Sequence, residues 1–147
     1  MHLRQEISIY KSCIFLLLIV FLTSCGKGEV KRVSEESKIA QEAFGLAETL
    51  KHAYIEDDRK TIEKISTQDG YRELIGAIKK FDRAELTFTP TWVEIEDSVV
   101  SLTISWKGEW IVGGVRTENR GVAIFVLEGS PLKLARIQRE NPFREPE

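Results

Sequence analysis

Cysteine and histidine are scarce in this chain of 147 residues. There are two of each: Cys13, Cys25, His2 and His52. Both cysteines lie near the N-terminus, so no disulfide can staple the rest of the chain. Downstream of Cys25 only His52 remains as a nitrogen or thiolate ligand, which excludes thiolate and multi-histidine metal sites within one subunit. Charge of one sign is also missing. Twenty-one Lys and Arg against 23 Asp and Glu give a formal charge of -2, with no basic block, so the footprint of nucleic-acid binding is absent. No apolar run reaches the roughly 20 residues that cross a bilayer. The clean run, Ile14 to Leu22, is too short and follows Ser8, Lys11 and Ser12. Internal repeats and low-complexity segments are absent. Nothing in the residues points to a cofactor, a metal or a catalytic constellation.

What is present begins at the N-terminus. Arg4 and Lys11 precede the apolar run, and Thr23 and Ser24 follow it, which is the basic start, apolar middle and small-residue end of a secretory signal peptide. Leu22-Thr23-Ser24-Cys25 resembles the bacterial lipobox. That resemblance implies diacylglyceryl transfer to the Cys25 sulfur and cleavage before Cys25. The partner is then the membrane, reached through lipid on Cys25; two acyl chains anchor stably where one does not. The expected location is the bacterial cell envelope. Gly26 stands where inner-membrane retention would place Asp, so the outer membrane facing the periplasm is expected if the cell has two membranes. The expected division is a signal peptide over 1–24, lipidated cysteine and tether over 25–33, a folded domain over 34–143 and a polar tail over 144–147.

Ser34 followed by Glu35 and Glu36 reads as a helix start. Ile39, Ala43, Leu46, Ala47, Leu50, Ala53 and Tyr54 then recur at helical spacing. Asp57 and Asp58 break the pattern and are placed to cap a short helix carrying Ile62 and Ile65. A third helical stretch carries Tyr71, Leu74, Ile75 and Ile78. After Asp82 the period becomes two: Ala84, Leu86 and Phe88 alternate with polar residues, as do Val100, Leu102, Ile104 and Trp106. Pro90 predicts a bend, a bulge or an edge position. Gly113-Gly114 with Arg116 to Gly121 reads as a loop or wide hairpin end. Val122 to Leu127 is apolar on both faces, and Leu132 to Gln138 reads as the last strand. Helices first and strands later predict an α+β fold with a mostly antiparallel sheet.

Long helix, short helix, third helix and long-stranded meander resemble the cone-shaped fold of the nuclear-transport-factor-2-like superfamily, also called cystatin-like. The likeness rests on Ala53-Tyr54-Ile55-Glu56-Asp57-Asp58, on the pair Val122–Leu127 and Leu132–Ile137, and on Asn141-Pro142-Phe143. It implies N-terminal helices packed on a curved sheet around a pocket. It also implies a homodimer through the outer sheet face, where one apolar face of Val122–Leu127 needs a cover. The superfamily hosts enzymes and binding modules alike, so membership assigns no function.

The candidate pocket or interface residues are Tyr54, Tyr71, Trp92, Trp110 and Arg136. Trp92 and Trp110 sit near strand ends or breaks, where aromatics serve binding. Arg136 shares an alternation with Leu132 and Leu134, and Arg116 and Arg120 are further candidates for an anionic ligand. His52 lies off the apolar face of its helix and reads as solvated. Three functions follow. The first is a non-catalytic envelope lipoprotein that binds a small ligand or an envelope protein. The second is an isomerase- or dehydratase-type enzyme, which needs a buried carboxylate near Tyr54 or Tyr71. The third is a structural subunit with a filled cone.

Overall fold

In the computed structural model, residues 34–146 are described, and three capped helices open the fold. The first, α1 (Glu35–Ile55), starts where the Ser34 hydroxyl accepts the Ser37 amide at 3.2 Å, with Glu35 and Glu36 in the first turn. Its buried stripe is Ala43, Leu46, Ala47, Leu50, Ala53 and Tyr54. The chain turns at Asp57, which adopts φ 51°. Asp58 caps α2 (Arg59–Lys64), accepting the Thr61 amide at 3.1 Å and the Thr61 hydroxyl at 2.6 Å. These hydrogen bonds hold the Asp58 carboxyl below its ordinary value. Thr67 caps α3 (Gln68–Ala77) through the Gly70 amide.

Four antiparallel strands follow in the spatial order β1-β2-β3-β4: β1 (Arg83–Glu96), β2 (Val99–Val112), β3 (Val115–Glu128) and β4 (Lys133–Arg139). The helices pack on one face of this curved sheet, as the α+β reading expects. Gly113 and Gly114 make the β2–β3 turn with φ 55° and 81°, the left-handed geometry of a two-residue hairpin. The α2–α3 connection covers the β4 edge: the Thr67 amide donates to the Leu134 carbonyl at 2.8 Å and the Leu134 amide to the Ile65 carbonyl at 2.9 Å. β1 forms the other edge, which tolerates Pro90.

Two bulges set the faces. Register shifts between Pro90 and Trp92, so Thr91 is an extra residue in β1. Ala84, Leu86 and Phe88 point to the core before it, whereas Val93 and Ile95 do so after it, and Trp92 turns outward opposite Thr103. A second shift makes Ala135 the extra residue in β4. Leu134 is buried but Arg136, opposite Val126, is exposed. The expected shared face of Arg136 with Leu132 and Leu134 is therefore corrected, because the bulge changes the phase between them.

The expected loop over Arg116–Gly121 is also corrected: these residues belong to β3. Their core-facing positions, Thr117, Asn119 and Gly121, are small or polar and lie opposite Trp110, Gly108 and Trp106 of β2. A Cβ at Gly121 would stand 2.3 Å from the Glu140 carboxylate and 3.0 Å from the Trp106 ring, and one at Gly108 would stand 2.1 Å from the Trp110 ring. The two rings meet edge to face at 6.4 Å. The end of the chain enters the fold as well. A 3-10 turn, Pro142–Arg144, buries Pro142 and Phe143 completely.

Candidate functional site

The interior is closed by aromatic packing. The Phe143 ring lies 5.0 Å from Tyr54, 6.1 Å from Phe88 and 6.0 Å from Phe125, and Phe81 meets Tyr54 at 5.0 Å. Trp110 is fully buried and donates its indole N–H to the Tyr54 hydroxyl at 2.9 Å. That hydroxyl donates in turn to the Glu145 carbonyl at 2.9 Å. Burial pushes the Tyr54 phenol well above its ordinary value, the Trp110 hydrogen bond opposes the rise, and the Glu145 charge adds to it. Trp110, expected at a pocket mouth or interface, is thus in the core. Tyr71 is half-buried on α3 and packs against the core. No Asp or Glu among the described residues is buried. His52 is exposed in the last turn of α1.

The outer face of the sheet has a different character. Row by row across β1, β2 and β3 it reads Glu85–Glu109–Glu118, Thr87–Lys107–Arg120, Thr89–Ser105–Val122, Trp92–Thr103–Ile124 and Glu94–Ser101–Val126. Gln138 and Arg136 extend the last two rows onto β4. Trp92 is 67 % exposed. Two strands away on the same face Val122 and Ile124 are half-buried, so an indole and β-branched side chains share a surface with hydroxyls and charges. Trp92 and Arg136 therefore share one face, by way of the two bulges, but stand on opposite edge strands. The hydroxyl-bearing neighbours Thr103 and Ser101 were not legible as surface partners of Trp92, because the register that places them depends on Thr91.

A second feature lies at the far end of α1. A cleft of about 470 Å³ is lined by Ile55, Arg59, Ile78, Lys80, Asp82 and Val112, beneath Tyr54. The Gly113 amide donates to Asp82 at 2.7 Å, tying the hairpin to the segment before β1. Charged groups of both signs dominate this cleft. Val112 and Val115 at the hairpin tip are 40 % and 67 % exposed. Among the described residues no group of three or more metal-ligating side chains occurs, and no helix is long and apolar enough to cross a membrane. Cys25 and the lipobox residues Leu22, Thr23 and Ser24 lie outside the described residues.

No family model and no curated protein matches the chain. Among solved structures, a nuclear transport factor 2 (NTF2-like) superfamily protein from Salmonella enterica serovar Typhimurium is similar, with a TM-score of 0.59 at 11% identity. The match covers 73% of this chain and 93% of that one. At this identity the likeness is one of fold: the helices and antiparallel meander form an NTF2-like cone.

Proposed function

We propose that the chain is a membrane-anchored envelope lipoprotein whose folded domain is a non-catalytic interaction module, working through the outer face of its sheet. The observation that carries the reading is the pairing of a filled interior with an outward Trp92. Phe143 packs in the interior against Tyr54, Phe88 and Phe125. The bulge at Thr91 turns a large aromatic to the surface, 67 % exposed on the face that also carries Val122 and Ile124. Buried aromatic anchors dominate binding energy at protein interfaces, and Trp is among the residues most enriched there. The partner is a second copy of the chain or another envelope protein.

The enzyme reading needs a carboxylate desolvated next to a donor. The described carboxylates are exposed or half-exposed, and the Tyr54 hydroxyl is already engaged by Trp110 and Glu145. The interaction reading is preferred for that reason.

The anchor and the surface are tested separately. Fatty-acid labelling and fractionation should show lipid on the wild type and none on Cys25→Ala, which should leave the membrane fraction; unchanged retention of the variant sinks the anchoring reading. For the surface, a photo-reactive residue at position 92 should form a discrete protein adduct in cells, and one at exposed Glu63 on α2 should not. Equal labelling from both positions would contradict the assigned face.

A further inference from the structure

We infer that the outer face also holds a binding site for an oxyanion group (phosphate, sulfate or carboxylate), formed by Lys107 and Arg120 with the hydroxyls of Thr87, Thr89 and Ser105. The site does not depend on the Trp92 surface having a partner.

Lys107 on β2 and Arg120 on β3 are direct cross-strand partners, both exposed on the outer face. Like charges placed directly opposite each other destabilise a sheet. The adjacent row of carboxylates, Glu85, Glu109 and Glu118, is ion-paired with two other arginines rather than with Lys107 or Arg120. Arg116 bridges Glu109 and Glu118 at 2.6 Å each, and Arg83 pairs with Glu85. Among the described residues neither Lys107 nor Arg120 forms an ion pair. On the other flank the row Thr89–Ser105–Val122 carries no charge. Two cations thus stand side by side on the sheet with no ion-pair partner among the described residues, while the Glu140 carboxylate at the rim accepts the Val122 amide at 2.7 Å.

The surface between them is a depression of about 440 Å³, lined by Thr87, Thr89, Ser105, Lys107, Arg120 and Val122. The hydroxyls of Thr87, Thr89 and Ser105 make no hydrogen bond to any described residue, which leaves three donors around two cations. A guanidinium fork grips two oxygens of a planar or tetrahedral oxyanion, and an ammonium meets a third as a point charge. Binding would replace the repulsion between Lys107 and Arg120 with charge-assisted hydrogen bonds. The same chemistry is offered by free phosphate and by the phosphate of an anionic lipid headgroup.

The test uses the full chain in neutral detergent, with sodium phosphate titrated against sodium chloride at matched ionic strength. Phosphate should move the amide resonances of Thr87, Lys107 and Arg120 and raise the thermal midpoint by mass action. In the double variant Lys107→Gln, Arg120→Gln both responses should vanish, while its midpoint in chloride equals or exceeds that of the wild type. Lys107→Arg should keep the response. A parallel arm places the chain in nanodiscs of phosphatidylglycerol or phosphatidylcholine. A response to free phosphate assigns a soluble oxyanion, and one only to phosphatidylglycerol assigns a headgroup; either supports the site. No response in either arm, or one that survives in the double variant, overturns it.

Discussion

Trp110 and Tyr54 are joined by a hydrogen bond of 2.9 Å, indole N–H to phenol oxygen, across a sequence separation of 56 residues. The phenol O–H donates in turn to the Glu145 carbonyl, so helix, sheet and chain end are tied at one buried oxygen. Tyr54→Phe keeps the ring and removes that oxygen, leaving a buried indole N–H and a carbonyl without their partner. The expected cost is about 1–3 kcal/mol, read by urea denaturation.

The same residue sets an alkaline limit. Its pKa is raised in the folded state from an ordinary value of 10.0 by burial. The folded state therefore holds its proton when the unfolded state has lost it, and stability is present in full below about pH 10 and falls as pH rises further. Denaturation between pH 9 and 11 should show a steeper loss for the wild type than for Tyr54→Phe. Parallel curves would contradict the role of the phenol.

Phe143 is expected to be a core residue despite its place near the end of the chain. It is fully buried against Tyr54, Phe88 and Phe125. Phe143→Ala should cost about 3–5 kcal/mol through lost transfer energy and the cavity left behind. A loss under 1 kcal/mol would mean that the tail does not seal the cone.

Two glycines should respond in opposite directions. At Gly108 an added Cβ would stand 2.1 Å from the Trp110 ring and 2.8 Å from Leu86, so Gly108→Ala must displace the indole and should destabilise by about 1–3 kcal/mol or more. At Gly45, exposed in α1, a Cβ meets nothing within 4 Å. Gly45→Ala should stabilise by about 0.5–1 kcal/mol. Thermal midpoints of the two variants check both signs.

The parts of the fold legible in the sequence are those governed by local periodicity. Ser34, the apolar stripe of α1, the Asp58 cap and the alternation of β2 all follow from neighbouring residues. Pro90 marked the irregular edge of β1. The parts not legible depend on space filled from elsewhere. Arg116–Gly121 looks like a loop because its core-facing positions, Thr117, Asn119 and Gly121, are polar or small, and Glu140 and the Trp106 ring crowd Gly121. By alternation alone Arg136 shares a face with Leu134; counting Ala135 as an extra residue puts it on the other. Asn141-Pro142-Phe143 looks like part of a polar end, yet it is buried. Of the candidate residues, Trp92 and Arg136 gather on the outer face, whereas Tyr54 and Trp110 pair in the core. The core positions of Tyr54 and Trp110 follow the periods of α1 and β2, whereas the outward turn of Trp92 and Arg136 depends on a bulge that no period shows.

We propose that the outward face around Trp92 holds a protein partner. Native mass spectrometry of the chain extracted from its own envelope in mild detergent tests it most directly, comparing the wild type with Trp92→Ser. Exposed, and with an indole that makes no hydrogen bond to any described residue, Trp92 should be replaceable with a stability change within about 0.5 kcal/mol. The wild type should appear in a discrete complex with a second copy or another protein, and Trp92→Ser, equally folded, as a single chain. A wild type found alone, or a complex unchanged by Trp92→Ser, would contradict the account.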